Sequence, residues 1–107
     1  DILLVNTIEA QDITNVEINS LNDSMKASKK LSEKFPIAIL STGDEGVILC
    51  ETQKDPIHFK GINVKVKSTH GAGDTFAGTF CGALISNKEL HEAINIANKK
   101  AAEFISI

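Results

Sequence analysis

With 107 residues, 42% hydrophobic and 23% charged, the chain has the makings of one globular core rather than two. Its net charge of -3 argues against a nucleic-acid footprint, because acids separate the lysines and no basic stripe forms. No apolar run approaches the roughly 20 residues of a membrane span, and no signal peptide precedes the first strand, so the cytoplasm is the expected location.

The sequence begins at Asp1, without a methionine, and runs straight into ILLV, which suggests the interior of a longer protein. Residues 1–5 and 37–40 (DILLV and IAIL) are short, nearly continuous apolar runs, the pattern of central strands covered on both faces. Between them, residues 19–34 carry Leu21, Met25, Ser28 and Leu31 at helical spacing, with Pro36 closing the segment. The segment reads as a crossover helix, completing a right-handed βαβ unit.

After Leu40 the turn-rich STGDEG leads into VILC, and TQKDP into IHFKGINVKVK, a pattern of short strands or hairpins with Gly61 at a turn or bulge. Two helices close the chain. The first covers residues 73–85, with Phe76 and Phe80 one turn apart. The second covers residues 88–105, with Asn87 as N-cap and Leu90, Ala93, Ile94, Ala97, Ala101 and Phe104 on one stripe. Cys50 and Cys81 read as buried reduced thiols, and His58, His70 and His91 lack metal-ligand spacing.

In an open α/β sheet, ligands bind beyond the carboxyl ends of the strands. Three polar clusters belong there: residues 6–9 (NTIE), 41–46 (STGDEG) and 68–74 (STHGAGD). In the third, Gly71, Ala72 and Gly73 open a helix, so the first backbone N–H groups have no intrahelical partner and favour an anion such as phosphate. Asp74 repels phosphate but can take a proton from a hydroxyl that attacks it, which makes it a candidate general base. On spacing alone, Asp74 could equally charge a helix N-terminus while the glycines turn the chain. A P-loop is excluded by the missing Gly-Lys-Ser/Thr, whereas a hydrolase triad of Ser68, His70 and Asp74 is disfavoured, because the G-x-S-x-G elbow is missing and residues this close in sequence rarely line up base to nucleophile.

STHGAGDTFAGTF resembles the signature D-T-x-G-A-G-D-x-F-x-G of the ribokinase-like (PfkB) family of sugar and nucleoside kinases. DILLVNTIEA is similar to the family's strand ending in N-x-x-E, AILSTGDEGVIL to its strand, T-x-G-x-x-G turn and strand, and AINIANKKAA to its late helix. Order and spacing agree along essentially the whole chain.

The resemblance implies a partial ribokinase-like three-layer α/β sandwich: residues 1–107 would be the C-terminal nucleotide-binding and catalytic portion of a mostly parallel sheet with flanking helices. It implies ATP as phosphoryl donor, Mg2+ as cofactor, and a sugar or nucleoside as acceptor. Asp74 would be the catalytic base, with Gly71, Ala72 and Gly73 as the anion hole. Asn6 and Glu9 would act near the nucleotide phosphates and magnesium, Glu9 through water. Ser41, Thr42, Gly43 and Gly46 would border the nucleotide, and Asn98 the adenine or ribose.

Ser68 stands where potassium-activated members have Asp, which deprives a monovalent-cation site of its charged ligand. Thr69-His70 is similar to the hydroxymethylpyrimidine and pyridoxal kinase branch, whereas Asp74-Thr75-Phe76 favours the sugar-kinase side. The family's lid strands and sugar-recognition residues lie in an N-terminal part absent from this sequence. The expected partner is therefore that missing part, with a homodimer as a further option, and the isolated chain is expected to be an inactive nucleotide-binding module that self-associates or needs its N-terminal partner to be soluble.

Overall fold

The structure, a computed structural model, describes residues 2–61 and 72–105. These form two compact units, Asp1–Lys60 and Gly61–Ile107.

In the first unit, β1 (Ile2–Asn6) runs directly into α1 (Thr7–Thr14), and α2 (Leu21–Leu31) precedes β2 (Ile37–Ser41). A single 3-10 turn, Gly43–Glu45, leads to β3 (Gly46–Glu51) and β4 (Ile57–Lys60). The strands pair in sequence order as one sheet. β1 and β2 are parallel, from Ile2 beside Ile37 to Asn6 beside Ser41, whereas β3 is antiparallel to both β2 and β4. Parallel neighbours need a long crossover, and α1 with α2 supplies it; the antiparallel pairs need only short turns. β2 is an inner strand as the sequence predicts, whereas β1 lies at an edge of the described sheet, which leaves Ile2 partly in solvent.

α1 occupies a stretch that reads in the sequence as a polar cluster. Asn6 caps it with extended backbone, so one residue both ends the strand and starts the helix. Asn15, in the left-handed region at φ 59°, ends it, its N–H donating to Gln11 O at 2.9 Å. Only Ala10 and Thr14 of this helix are buried, and Ile8 is 72% exposed.

α2 is shorter than the expected residues 19–34, because Ser20 caps its start and the N–H of Ser32 closes on Ser28 O at 3.0 Å. Its buried face is made of Ser24, Ala27, Ser28 and Leu31, three small residues and one large. The core of the unit sits beneath that face: Val5, Ala38, Leu40 and Ile48 from alternating strand positions meet Ala10, Ala27 and Leu31, with Leu3, Val16, Ile18, Leu21 and Met25 at the margin. Leu31 is 1% exposed, and truncating such a residue to alanine costs about 2–5 kcal/mol.

In the second unit, α3 (Ala72–Ile85) and α4 (Leu90–Ile105) pack on each other. The rings of Phe76 and Phe80 stack with centroids 6.1 Å apart and both are buried, as their one-turn spacing predicts. Ala93, Ile94 and Ala97 are buried along the expected stripe of α4, but Phe104 at its far end is 56% exposed.

Asn87 does not cap α4. It lies at φ 64° and terminates α3, with its own N–H on Leu84 O at 3.0 Å and the N–H of Lys88 on Ala83 O at 3.0 Å. This is the paired closure of a Schellman motif, for which asparagine is the usual substitute for glycine. The cysteines also differ from one another. Cys50 is buried within β3 and its thiol reaches Lys54 O at 3.5 Å, whereas Cys81 is exposed rather than buried.

Among the described residues, no helix is long and apolar enough to cross a membrane.

Candidate functional site

Parallel pairing aligns the carboxyl ends of β1 and β2, so Asn6 and Ser41 stand side by side across the sheet. The residues after each of these strands therefore share one end of the unit. After β1 comes a reciprocal cap: Asn6 Oδ1 accepts the N–H of Glu9 at 2.8 Å, and Glu9 Oε1 accepts the N–H of Asn6 at 3.0 Å. Both residues are exposed.

After β2 the chain turns back through a closed loop. Thr42 donates twice to Gly46 O, from its backbone N–H at 2.9 Å and from Oγ1 at 2.8 Å. Gly43 and Gly46 lie at φ 80° and 100°, a region that side chains disfavour, so both glycines serve the turn's conformation. A Cβ added at Gly43 would meet nothing within 4 Å. From β4, His58 Nε2 lies 2.6 Å from Glu45 O, and since a carbonyl only accepts, that nitrogen carries the proton.

An open cleft of about 360 Å3 lies at this end of the unit, lined by Thr7, Ile18, Asn19, Ser20, Ser24, Thr42 and Glu45. Of the residues given a ligand role from sequence, Thr42 lines it, and Thr7 and Glu45 come from the polar clusters expected at this end. Asn6, Glu9, Ser41, Gly43 and Gly46 flank it in sequence. Sequence reasoning misses Ser20 and Ser24 as site residues; the available signal is an N-capping serine with a second serine one turn later.

The segment between α1 and α2 is pinned. Gln11 Oε1 accepts the N–H of Ile18 at 2.9 Å, Asp23 Oδ2 that of Asn19 at 3.0 Å, and Ser20 Oγ that of Asp23 at 3.2 Å. Lys30 Nζ donates to Thr14 O at 2.8 Å, tying the end of α1 to α2.

In the second unit, Ala72, Gly73 and Asp74 are the first three residues of α3, so their N–H groups have no intrahelical acceptor. The helix starts one residue before the predicted position. Gly71 lies outside the described residues, as do Ser68, Thr69, His70 and the VKVK run. Asn98 is half-buried on α4.

Among the described residues, no group of three or more His, Cys, Asp or Glu side chains could cage a metal. Magnesium needs no such cage, because it keeps most of its waters and takes one or two carboxylates together with substrate phosphates. Glu9 fits that use. One of its oxygens is committed to Asn6, and the exposed carboxylate retains a second that can accept from a metal-bound water.

Compared with known proteins, residues 1–106 match the model of the pfkB family of carbohydrate kinases. The chain belongs to this family. It is 34% identical to the ribokinase of Haemophilus influenzae over 103 residues, which cover 95% of this chain and 33% of that enzyme. The Thermotoga maritima ribokinase superposes with a TM-score of 0.83 at 30% identity, covering all of this chain and 36% of that one. The Arabidopsis thaliana ribokinase, solved with ribose and ATP, gives a TM-score of 0.84 at 27% identity over 95% of this chain and 33% of its own. The fold is thus ribokinase-like α/β, and the chain spans about a third of the length of these pfkB relatives.

Proposed function

We propose that the protein carrying this chain is an ATP-dependent kinase that transfers the γ-phosphoryl group to a hydroxyl of a sugar or nucleoside. Residues 1–107 act as the nucleotide-binding and catalytic portion of its domain. The observation that carries this reading is the start of α3, where an acid follows two small residues within the first turn of a helix.

There the free N–H groups and the helix dipole stabilise the phosphoryl oxygens, with Gly71, Ala72 and Gly73 forming the anion hole. Asp74 accepts the proton of the attacking hydroxyl, and its negative charge is tolerable because it acts on the acceptor and not on the phosphate. Asn6 and Glu9 serve the nucleotide phosphates, and Mg2+ neutralises them when bound. Ser41, Thr42, Gly43 and Gly46 border the nucleotide, and Asn98 lies toward its adenine or ribose. ATP and sugar use is supported by the Arabidopsis ribokinase, whose structure holds both ribose and ATP.

The test is a coupled ADP-release assay on the full-length protein with a panel of pentoses, hexoses and nucleosides. Magnesium- and acceptor-dependent turnover with at least one of them is expected. ATP binding without transfer to any hydroxyl would reduce the role to nucleotide binding.

A further inference from the structure

Gly43 and Gly46 bracket the turn between β2 and β3, and both lie at positive φ. Glycines that permit this bend permit others as well, so the turn keeps one form only if something holds it. Packing does not hold it at Gly43, where an added Cβ would meet nothing within 4 Å among the described residues. Hydrogen bonds must do so.

Thr42 closes the base of the turn with its two donations to Gly46 O, and the N–H of Gly46 returns to Gly43 O. These bonds are local to the turn. The carbonyl of Glu45 lies outside the sheet, because the ladder between β3 and β4 begins at Gly46 beside Lys60. His58 reaches that carbonyl from a different element. It stands on β4 opposite Ile48, and its Nε2–H donates to Glu45 O at 2.6 Å, fastening the turn to the sheet from beyond the end of the ladder. Ile48 is fully buried, so the ring is attached to a part of the sheet that the core fixes.

We infer that His58 is a positioning residue: through Glu45 O it sets the conformation of residues 42–46, and with it the placing of Thr42 and Glu45 in the cleft they line. It acts without touching a ligand. A turn held in one form before a ligand arrives costs less to order on binding, so a bond remote from the ligand adds to affinity. The inference rests on the proposed bordering of the nucleotide by Thr42, Gly43 and Gly46, and it extends that border to a side chain on β4.

The experiment compares the full-length protein with His58→Leu, which removes the donor, and His58→Gln, whose side-chain amide N–H can take the place of Nε2–H. Hydrogen exchange at the Thr42 amide is followed without ligand, and ATP affinity is measured by calorimetry on the same preparations. In His58→Leu the Thr42 amide should exchange faster and ATP should bind more weakly, each by about threefold to tenfold, the effect of one neutral hydrogen bond. His58→Gln should recover most of both losses. The Ile39 and Leu49 amides should exchange alike in all three proteins, which a general loosening of the sheet would not allow. A parent protein that binds no ATP would sink the kinase reading and leave the exchange at Thr42 to decide for or against His58. Unchanged exchange at Thr42 in His58→Leu, no recovery in His58→Gln, or, where the parent binds ATP, parental affinity in His58→Leu would each overturn the inference.

Discussion

Asn6 and Glu9 hold one another's backbone, each carbonyl-type side-chain oxygen taking the other's N–H, at 2.8 and 3.0 Å. The pair therefore has a structural task before any ligand arrives. It starts α1 at the last residue of β1, which fixes where the helix amides emerge beside the end of β2.

The two tasks can be separated by substitution. Glu9→Gln keeps an oxygen that can accept the N–H of Asn6 but removes the charge. Urea denaturation should show stability within about 0.5 kcal/mol of the parent, a conservative surface change, while the Mg2+ concentration needed for half-maximal turnover rises. Asn6→Ala removes the cap itself and should cost about 1 kcal/mol. An unchanged Mg2+ requirement in the Glu9→Gln variant would leave Glu9 with the cap alone.

Asp74→Asn keeps shape and removes proton-accepting power. Turnover of the full-length protein should fall by about 10²–10⁴-fold, the usual worth of a general base. ATP affinity should hold or rise, because a negative charge beside the phosphates is gone. Measuring kcat and ATP binding on one preparation checks both. Near-parental turnover would return Asp74 to the part of a charge at a helix start.

Ser28 offers a prediction of opposite sign. It is fully buried on α2, and its Oγ has no hydrogen-bond partner among the described residues. An unsatisfied buried hydroxyl is a cost, and alanine is the better helix former. Ser28→Ala should raise stability by about 0.5–2 kcal/mol, seen as a higher midpoint in urea at unchanged slope. A loss of stability would mean that the hydroxyl fills space alanine cannot.

How much of the fold is legible in the sequence depends on how strongly each segment buries one face. β1 and β2 are legible because Ile2–Asn6 and Ile37–Ser41 begin as unbroken apolar runs, and α2 because Leu21, Met25, Ser28 and Leu31 repeat at helical spacing. α1 is not. It buries only Ala10 and Thr14 while Ile8 and Ile13 face solvent, so its apolar residues mark no stripe; the N-x-x-E spacing of its cap is the one sign. Asn87 misleads because asparagine suits both a helix start and a left-handed helix end, and only the backbone angle distinguishes them.

The site is legible in part for a similar reason. Motif residues such as Asn6 and Ser41 can be placed because strand ends in a parallel pair must coincide. Ser24 is missed, since a serine one turn after an N-capping serine reads first as part of a helix start rather than as the lining of a cleft. Among the described residues, the acid-bearing turn of α3 appears as backbone that begins at Ala72, with Gly73 already inside the helix.

The contrast between Cys50 and Cys81 gives the molecule a pair of internal clocks. Cys81 is exposed on α3 in one unit, whereas Cys50 is sealed in β3 of the other. A thiol reagent should modify Cys81 in the native protein at the rate of an accessible thiol. Cys50 should wait for the sheet to open, so its labelling rate reports the opening of the first unit without any added probe. Ligands that occupy that unit should slow the second clock and leave the first running, as mass spectrometry of the two cysteine peptides would register.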